Sequence, residues 1–265
     1  MSIGETRDRE TLARFFRREQ GAHVYGLADL DAPFWPDVRA FASMQGGEID
    51  AVALLLGDLG IPLLYAVAPP GHEPTRALLA AIAAEVPTPC IATLSLGLPR
   101  ALGWEFESAG EFLKMHLTAR GRARDLDDGS PIERLIPADL EELERYLDSS
   151  AYGEGEGGFF RAYMLELGPY FVIRHEGEIV ACGGVHVLSK RYGVVGLGNI
   201  VTSPEFRGRG YASLIMRALC RELVDQIPLI GLNVRRDNLA AVRCYTRVGF
   251  EPVLNYEEGL IEALP

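Results

Sequence analysis

The feature that most restricts the fold of this chain is a glycine-rich turn between a β-type run and an amphipathic helix. The run from Tyr192 to Val201 has the composition of a strand. Apolar residues from Tyr211 to Val224 recur at helical spacing. A strand that leads directly into a helix is typical of a sheet covered by helices, so this unit favours an α/β fold.

The elements around the turn follow an order that predicts an α/β fold with a mixed (α+β) sheet. The second half of the chain reads as a short strand, two helices, antiparallel strands, a helix, a strand, a helix and a last strand. The predicted bounds are Pro131 to Ile136, Ala138 to Leu147, Phe159 to Leu167, Tyr170 to Arg174, Ile179 to Val187, Leu229 to Val234, Asn238 to Val248 and Phe250 to Asn255.

The turn itself has the composition of an anion site. Gly208 and Gly210 let the backbone approach a ligand closely, and Arg207 and Arg209 add positive charge. The N–H groups of the first helical turn have no partner within the helix and point outward. These features predict a pyrophosphate site. Taken alone, the pattern fits a glycine-containing turn with solvated arginines equally well, and it lacks the Gly-Lys-Ser/Thr ending of a P-loop.

A second group of candidate residues lies on the predicted helix near the C-terminus. Asn238, Ala241 and Tyr245 stand at i, i+3 and i+7 and therefore share one face. The small alanine leaves room for a narrow ligand, and the asparagine offers hydrogen bonds. Without the glycine-rich turn, Tyr245 would be interpreted as a core aromatic residue.

Composition narrows the classes of function. The chain has 265 residues, enough for two domains, and the polar run Ala119 to Ser130 predicts a linker. We expect domains at residues 1–120 and 131–265, joined by residues 121–130. The net charge of −11 disfavours nucleic acid and membrane surfaces as partners. The arginine-containing start without an apolar block favours a cytoplasmic location over a signal peptide or anchor.

The spacing of cysteine and histidine gives no reason to expect a metal. The four cysteines show no paired short spacing, and the five histidines form no i,i+4 pair. We therefore predict reduced thiols and no metal ligand.

The glycine-rich turn resembles a signature of the GNAT superfamily of N-acetyltransferases. The segment Arg207-x-x-Gly210-x-Ala212 is similar to the family's Gln/Arg-x-x-Gly-x-Gly/Ala pattern, in the strand-turn-helix setting that the family uses. The resemblance implies that acetyl-CoA is the cosubstrate and that the turn holds its pyrophosphate. It also implies that Ile200 and Val201 lie beside the reacting carbonyl. The residues implied at the pyrophosphate are Arg207, Gly208, Arg209, Gly210, Tyr211 and Ala212.

The run from Asn238 to Phe250, Asn-x-x-Ala-x-x-x-Tyr-x-x-x-Gly-Phe, extends this resemblance. It is similar to the GNAT pattern whose tyrosine protonates the departing CoA thiolate. The resemblance implies direct attack by the primary amine of a small molecule or peptide, with Tyr245 as general acid and Asn238 at the cofactor. Because Cys244 is turned about 100° from Tyr245 on a helix, a covalent thiol step is discounted. The candidates for the general base are left unassigned: His186, Glu154 and Glu257.

The sequence of the first half of the chain resembles a degenerate copy of the second half. Tyr65 to Pro69 parallels Asn199 to Pro204, but the turn that follows, Pro70 to Pro74, has no arginine and has prolines that remove N–H donors. This predicts a degenerate GNAT-like domain before an active one. The layout also resembles the glycine N-acyltransferase-like branch. An unrelated α/β domain stays the alternative for this half.

Two other classes of function stay open. A catalytically silent acyl-CoA binder or sensor is favoured by the absence of Asp, Glu and His from Tyr192 to Thr202, but the presence of Tyr245 disfavours it. A purely structural partner protein is disfavoured by the predicted anion site. The sequence specifies neither the acceptor amine nor the oligomeric state.

Overall fold

The computed structural model describes residues 2–57, 60–118, 132–149 and 160–265. Contacts divide the chain into two compact units. The first unit comprises Met1–Lys114, Val234–Asn238 and Pro252–Pro265, and the second comprises Met115–Asn233 and Leu239–Glu251. The predicted linker and residues 150–159 fall outside the described residues. The division into a degenerate and an active domain stays a prediction.

The described elements are numbered here in chain order. The helices are α1 Arg9–Phe16, α2 Val24–Asp29, α3 Glu73–Ala81, α4 Leu98–Leu102, α5 Leu140–Asp148, α6 Met164–Leu167, α7 Tyr211–Leu223 and α8 Leu239–Val248. The strands are β1 Ser2–Thr6, β2 Val38–Gln45, β3 Glu48–Leu56, β4 Leu63–Ala66, β5 Cys90–Ser95, β6 Glu105–Leu117, β7 Glu133–Arg134, β8 Tyr170–His175, β9 Glu178–Ser189, β10 Val194–Thr202, β11 Leu229–Arg235 and β12 Phe250–Ala263.

In the first unit the strands run in the order β1-β2-β3-β4-β5-β12-β6. The last strand of the chain enters this sheet antiparallel to β5, with Tyr256 opposite Ser95 and Ile261 opposite Cys90. Two buried leucines of α3, Leu78 and Leu79, pack in the core that β3, β4 and β5 supply. Sequence alone predicted that the last strand ends at Asn255, and this bound is wrong because the pairing partner lies far away in the chain.

The first unit also buries a group of charged and aromatic side chains. Lys114 is only 2% exposed, and its Nζ lies 4.4 Å from the ring centre of Tyr256 and 5.2 Å from that of Tyr65. Burial lowers the pKa of Lys114 to about 8, against the opposing effect of Glu258. Burial likewise raises the pKa of Asp29 to about 7, although the charge of Lys114 opposes the shift. Both groups therefore titrate near neutral pH.

The raised pKa of Asp29 predicts a pH-dependent effect of Asp29→Asn on stability. The folded state holds a proton that the unfolded state releases above pH ~4, so this stabilising contribution is lost as pH rises through about 7. We expect the free energy of unfolding of Asp29→Asn minus that of wild type to increase from pH 5 to pH 8, because only wild type loses this contribution. Urea unfolding at both pH values measures it. The control is Asp37→Asn, a substitution at an exposed aspartate, which should follow wild type. If the free energy of unfolding changed equally with pH in all three proteins, the raised pKa of Asp29 would be contradicted.

In the second unit the strands run in the order β11-β10-β9-β8-β7. β10 is antiparallel to β9 and parallel to β11, so the predicted mixed sheet is confirmed. The helix α7 packs on β8, β9 and β10. A separate apolar core joins α5 and α6 to β8 and β9 through Leu143, Met164 and Cys182. Neighbouring residues of a strand point to opposite faces of the sheet, so Cys182 and Gly183 mark its two faces. Cys182 packs in the core with α5 and α6, and a Cβ at Gly183 would contact Ile215 of α7. Helices therefore cover both faces of this sheet.

Most predicted elements of the second half are present with small changes of bounds. The hairpin of β8 and β9, the helix α7 and the strand β11 are confirmed. The predicted helix Phe159 to Leu167 is shorter, because none of the described residues before Met164 is helical. The predicted strand Pro131 to Ile136 is reduced to the two residues of β7, which pair with Phe171 and Val172.

Candidate functional site

The strand β10 is irregular just before the glycine-rich turn. Gly198 lies opposite Gly184 and Val201 opposite Cys182, so β10 contains one more residue than β9 between these pairs. This bulge coincides with Asn199, whose φ of +52° is unusual for a residue with a side chain. The Asn199 Nδ2 donates a hydrogen bond of 2.8 Å to the Tyr170 hydroxyl, which holds the bulge in place.

The backbone at the turn takes the conformation that its glycines predict. Gly208 and Gly210 have φ of +79° and +84°, and a Cβ on either would have no neighbour within 4 Å. A short 3-10 helix, Pro204–Phe206, leads into the turn. Residues 207–210 are all exposed, so the surface above the turn is open. The two glycines therefore supply left-handed conformations without filling the space beside them.

Backbone N–H groups of the turn are available to a ligand. Within the described part of the chain, no atom accepts a hydrogen bond from the backbone N–H of the residues from Gly208 to Ala212. The Arg207 N–H differs, because it donates to the Pro204 carbonyl at 3.2 Å. The first helical bond runs from the Leu214 N–H to the Gly210 carbonyl at 3.1 Å. A helix start with a row of N–H groups that have no protein acceptor attracts an anion.

The two arginines of the turn are oriented by contacts with the backbone. The Arg207 Nε donates to the Thr202 carbonyl at 3.1 Å. The Arg209 guanidinium lies 4.9 Å from the ring centre of Phe206 and makes a long contact of 3.5 Å with the Glu205 carbonyl. Both side chains are exposed, so their charge is present beside the N–H groups.

A buried polar atom lies at the end of β10. The Oγ1 of Thr202 is enclosed and has no hydrogen-bond partner among the described residues. Thr202 is two residues beyond Ile200, so both side chains point to the same face of the strand. That face carries α7, since a Cβ at Gly183 would collide with both Ile200 of β10 and Ile215 of α7. Because buried hydroxyls nearly always have a partner, this hydroxyl is open to a hydrogen bond with water or a ligand.

The candidate general acid, Tyr245, lies in α8, which packs on α7. Its side chain is 7% exposed, and its ring centre is 6.5 Å from that of Phe250. Burial, with a smaller effect of Cys244, raises the pKa of the Tyr245 phenol well above its ordinary value. The hydroxyl makes no hydrogen bond to any described residue. Tyr245 therefore keeps its proton at neutral pH.

The side chain of Cys244 is directed toward α7. It is in hydrogen-bond contact with the Ser213 hydroxyl, and burial raises the pKa of its thiol above the ordinary value. A protonated thiol is a poor nucleophile. This environment agrees with the prediction that Cys244 takes no acetyl group.

The remaining candidate residues are Asn238 for the cofactor and Glu257, His186 and Glu154 for the general base. Asn238 is exposed and directly precedes α8, but it belongs to the first unit. Glu257 also belongs to the first unit, where its Oε1 accepts a 2.7 Å hydrogen bond from the Gly97 N–H and burial raises its pKa. His186 packs over Gly198, and burial lowers its pKa to about 4. Glu154 falls outside the described residues. The general base stays unassigned.

Sequence reasoning missed the polar groups that support the end of β10. The Tyr146 hydroxyl on α5 lies 3.1 Å from the Ser203 Oγ, beside a cleft of about 260 Å³ that Glu178 also lines. The sequence pattern places Asn199 in a strand but does not predict the bulge there. A polar residue inside an apolar strand is a signal that could have identified this position. Its hydrogen-bond partner could not be identified, because Tyr170 lies 29 residues away in the chain.

Two classes of site were searched for in the described residues. In those ranges no group of three or more His, Cys, Asp or Glu side chains is placed to hold a metal ion. None of the helices of the described residues is long and apolar enough to cross a membrane.

Comparisons with known proteins agree with this geometry. Residues 138–250 match the family model described as Acetyltransferase (GNAT) family. A Bacillus subtilis protein named uncharacterized N-acetyltransferase YobR is 33% identical over 85 residues, which cover 32% of this chain and 33% of that protein's length.

Solved structures resemble the chain over its whole length. A tandem GNAT protein from the clavulanic acid biosynthesis pathway has a TM-score of 0.60 at 17% identity, covering 100% of this chain and 99% of the other. A Drosophila protein has a TM-score of 0.69 at 15% identity, covering 98% of both chains. At these identities the likeness shows the fold alone. Residues 138–250 are therefore similar to the GNAT acetyltransferase family, and the whole chain shares the fold of a tandem GNAT protein.

Proposed function

We propose that this protein is an acetyl-CoA-dependent N-acetyltransferase that acetylates a primary amine of a small molecule or peptide. The observation that carries the proposal is the row of backbone N–H groups from Gly208 to Ala212, which have no acceptor among the described residues. The positive end of α7 and the guanidinium groups of Arg207 and Arg209 lie at the same place. Together they suit a diphosphate.

The residues present fit acetyl-CoA along β10 as well. The diphosphate would lie on the N–H groups of the turn, and the pantetheine arm along Ile200 and Val201. The enclosed Oγ1 of Thr202 needs a hydrogen-bond partner, which the polar arm of the cosubstrate would provide. The bulge at Asn199 turns backbone groups of β10 out of the regular pairing with β9. We also assign Asn238 to the cofactor as a proposal from its motif.

In the proposed reaction, the thioester supplies an activated acetyl group. Backbone N–H groups of β10 hold the acetyl group in position for attack by the neutral amine. The amine nitrogen bonds to the acetyl carbon as the carbon–sulfur bond breaks, and Tyr245 donates its hydroxyl proton to the departing sulfur. The proton lost by the amine nitrogen passes through solvent and restores the Tyr245 hydroxyl. Because burial raises the pKa of this phenol, the proton stays available across the neutral range.

The turn of the first unit that corresponds to the glycine-rich turn supports a degenerate first domain. Here Pro74 supplies no N–H in the first turn of α3, and Glu73 adds a negative charge. The Nδ1 of His72 lies 2.8 Å from the Thr75 hydroxyl, so these polar side chains are engaged with each other. This helix start is therefore unsuited to a diphosphate, and we assign the active site to the second half of a tandem GNAT enzyme, for which we propose a cytoplasmic location.

Calorimetric titration with CoA and acetyl-CoA, followed by a thiol-release assay with primary amines, tests the proposal. We expect binding of both ligands and thiol release that depends on an amine. Binding without release with small amines, lysine-containing peptides and peptide N-termini would favour a silent acyl-CoA binder. The free hydroxyl of Tyr245 disfavours that second candidate. If neither CoA nor acetyl-CoA bound, both the acetyltransferase proposal and the silent acyl-CoA binder would be overturned.

A further inference from the structure

One of the two lysines of this chain is buried in the first unit. Only two of the 26 basic residues are lysines, Lys114 and Lys190. Lys190 is exposed, whereas Lys114 is only 2% exposed. A lysine is almost never fully buried unless its charge is paired. The groups around Lys114 must therefore replace the water that its ammonium has lost.

Three tyrosine rings surround the Lys114 ammonium. Its Nζ lies 4.4 Å from the ring centre of Tyr256, 5.2 Å from that of Tyr65 and 5.5 Å from that of Tyr25. The rings come from β12, β4 and α2, so three separate elements meet at one atom. All three distances fall within the about 6 Å over which an aromatic ring attracts a cation. We call these three rings the tyrosine cage.

Hydrogen bonds hold the Tyr65 ring in the cage. Its hydroxyl lies 3.0 Å from the His23 Nδ1 and donates to the Ala22 carbonyl at 3.3 Å. Burial, with a smaller effect of the Lys114 charge, lowers the pKa of His23 to about 3. The imidazole is therefore neutral and adds no second positive charge to the cluster.

Carboxylates complete the surroundings of the ammonium. The Tyr256 hydroxyl donates a 2.7 Å hydrogen bond to the Glu258 Oε1, which places this carboxylate beside a cage ring. Asp29, which is 7% exposed, lies on the same short helix as the Tyr25 ring. Aromatic rings with nearby negative charge are the chemistry by which proteins recognise ammonium ligands.

We propose that the tyrosine cage is a binding site for a primary alkylammonium ion and that the side chain of Lys114 is its built-in ligand. Lys114 extends from β6, so its ammonium fastens the C-terminal strand β12 to β4 and α2. All of these residues belong to the first unit. The site therefore does not depend on the proposed function.

The test empties the site with Lys114→Ala and refills it with n-propylammonium, which has the carbon chain and the charge of the deleted atoms. An alkylammonium is charged at pH 7. We expect Lys114→Ala to melt at a lower temperature than wild type, and propylammonium chloride to raise that temperature saturably. The half-maximal concentration should lie in the millimolar range, as for a ligand with so few atoms.

Two ligands and three proteins serve as controls. n-Propanol lacks the charge and potassium chloride lacks the carbon chain, so both should leave the melting temperature of Lys114→Ala nearly unchanged. Wild type and Lys114→Met have a filled site and should show no saturable rise. Arg39→Ala is the matched control, because the Arg39 guanidinium lies 4.9 Å from the ring centre of Phe41 but its side chain is 42% exposed. Propylammonium should not stabilise this variant.

A folded Lys114→Ala that gains no more from propylammonium than Arg39→Ala does would overturn the proposal. An equal gain from n-propanol would also overturn it, since the space would then be an ordinary apolar cavity. An equal gain from potassium chloride would do the same, because it would show a general effect of salt. If Lys114→Ala does not fold, refolding with propylammonium but not with n-propanol supports the site.

A second measurement uses wild type and does not depend on any variant that empties the cage. In protein labelled with ¹³C-lysine, only Lys114 and Lys190 give lysine signals, and Lys190→Arg assigns them. The ring currents of the cage should shift the Cε protons of Lys114 clearly upfield of those of exposed Lys190. Coinciding Cε proton signals would overturn the proposal even if Lys114→Ala never folds.

Discussion

Gly210→Val is expected to abolish measurable CoA binding while the chain still folds. Gly210 has φ of +84°, a conformation that a β-branched residue strongly disfavours. To relieve the strain the backbone must rotate, which redirects the N–H groups at the start of α7 away from the diphosphate. Because several hydrogen bonds are lost together, we expect at least a ~100-fold loss of affinity. Calorimetry with CoA measures it.

The first unit offers a matched control for this substitution. Gly71 has φ of +76° and no neighbour within 4 Å of a Cβ, so Gly71→Val introduces a similar backbone strain. It lies in the turn before α3, where no anion site is proposed. Gly71→Val should lower the melting temperature without changing the CoA dissociation constant. A Gly210→Val variant that still binds CoA within threefold of wild type would show that the turn does not hold the diphosphate.

Tyr245→Phe is expected to reduce kcat by roughly 10²–10⁴-fold, the usual contribution of a general acid. The dissociation constant for CoA should stay within about threefold of wild type, since only the proton donor is removed and the buried ring is kept. Because the pKa of Tyr245 is raised, its proton is retained to high pH, and wild-type turnover should show no loss from this group near pH 8. Thiol release over this pH range measures both effects.

Tyr192→Phe controls for the loss of a buried phenol hydroxyl in the same unit, since Tyr192 is 5% exposed. Its kcat should remain close to that of wild type. Tyr245→Phe with an unchanged kcat would remove Tyr245 from the reaction. A parallel decrease in both variants would indicate a general effect on packing.

The strand-turn-helix unit could be predicted because its signals are local. Helical spacing marks α7, and glycines at the turn supply left-handed conformations that are present at Gly208 and Gly210. The same reasoning placed Cys244 and Tyr245 on different sides of α8. Each of these inferences depends on residues within a few positions of one another.

Long-range contacts could not be predicted in this way. The continuation of β12 depends on pairing with β5, and no pattern in the last residues identifies that partner. The bulge at Asn199 depends on the hydroxyl of Tyr170, and the burial of Lys114 depends on aromatic rings from distant segments. Sequence periodicity reports which face is apolar, but it does not report which distant segment covers that face.

The most direct test of the central claim is a backbone amide NMR titration of the protein with CoA. We predict that the largest shifts fall on the N–H groups from Gly208 to Ala212, and that those of Gly71 and Thr75 in the first unit stay unchanged. Saturable binding with no shift from Gly208 to Ala212 would contradict the account, because the diphosphate would then be held elsewhere.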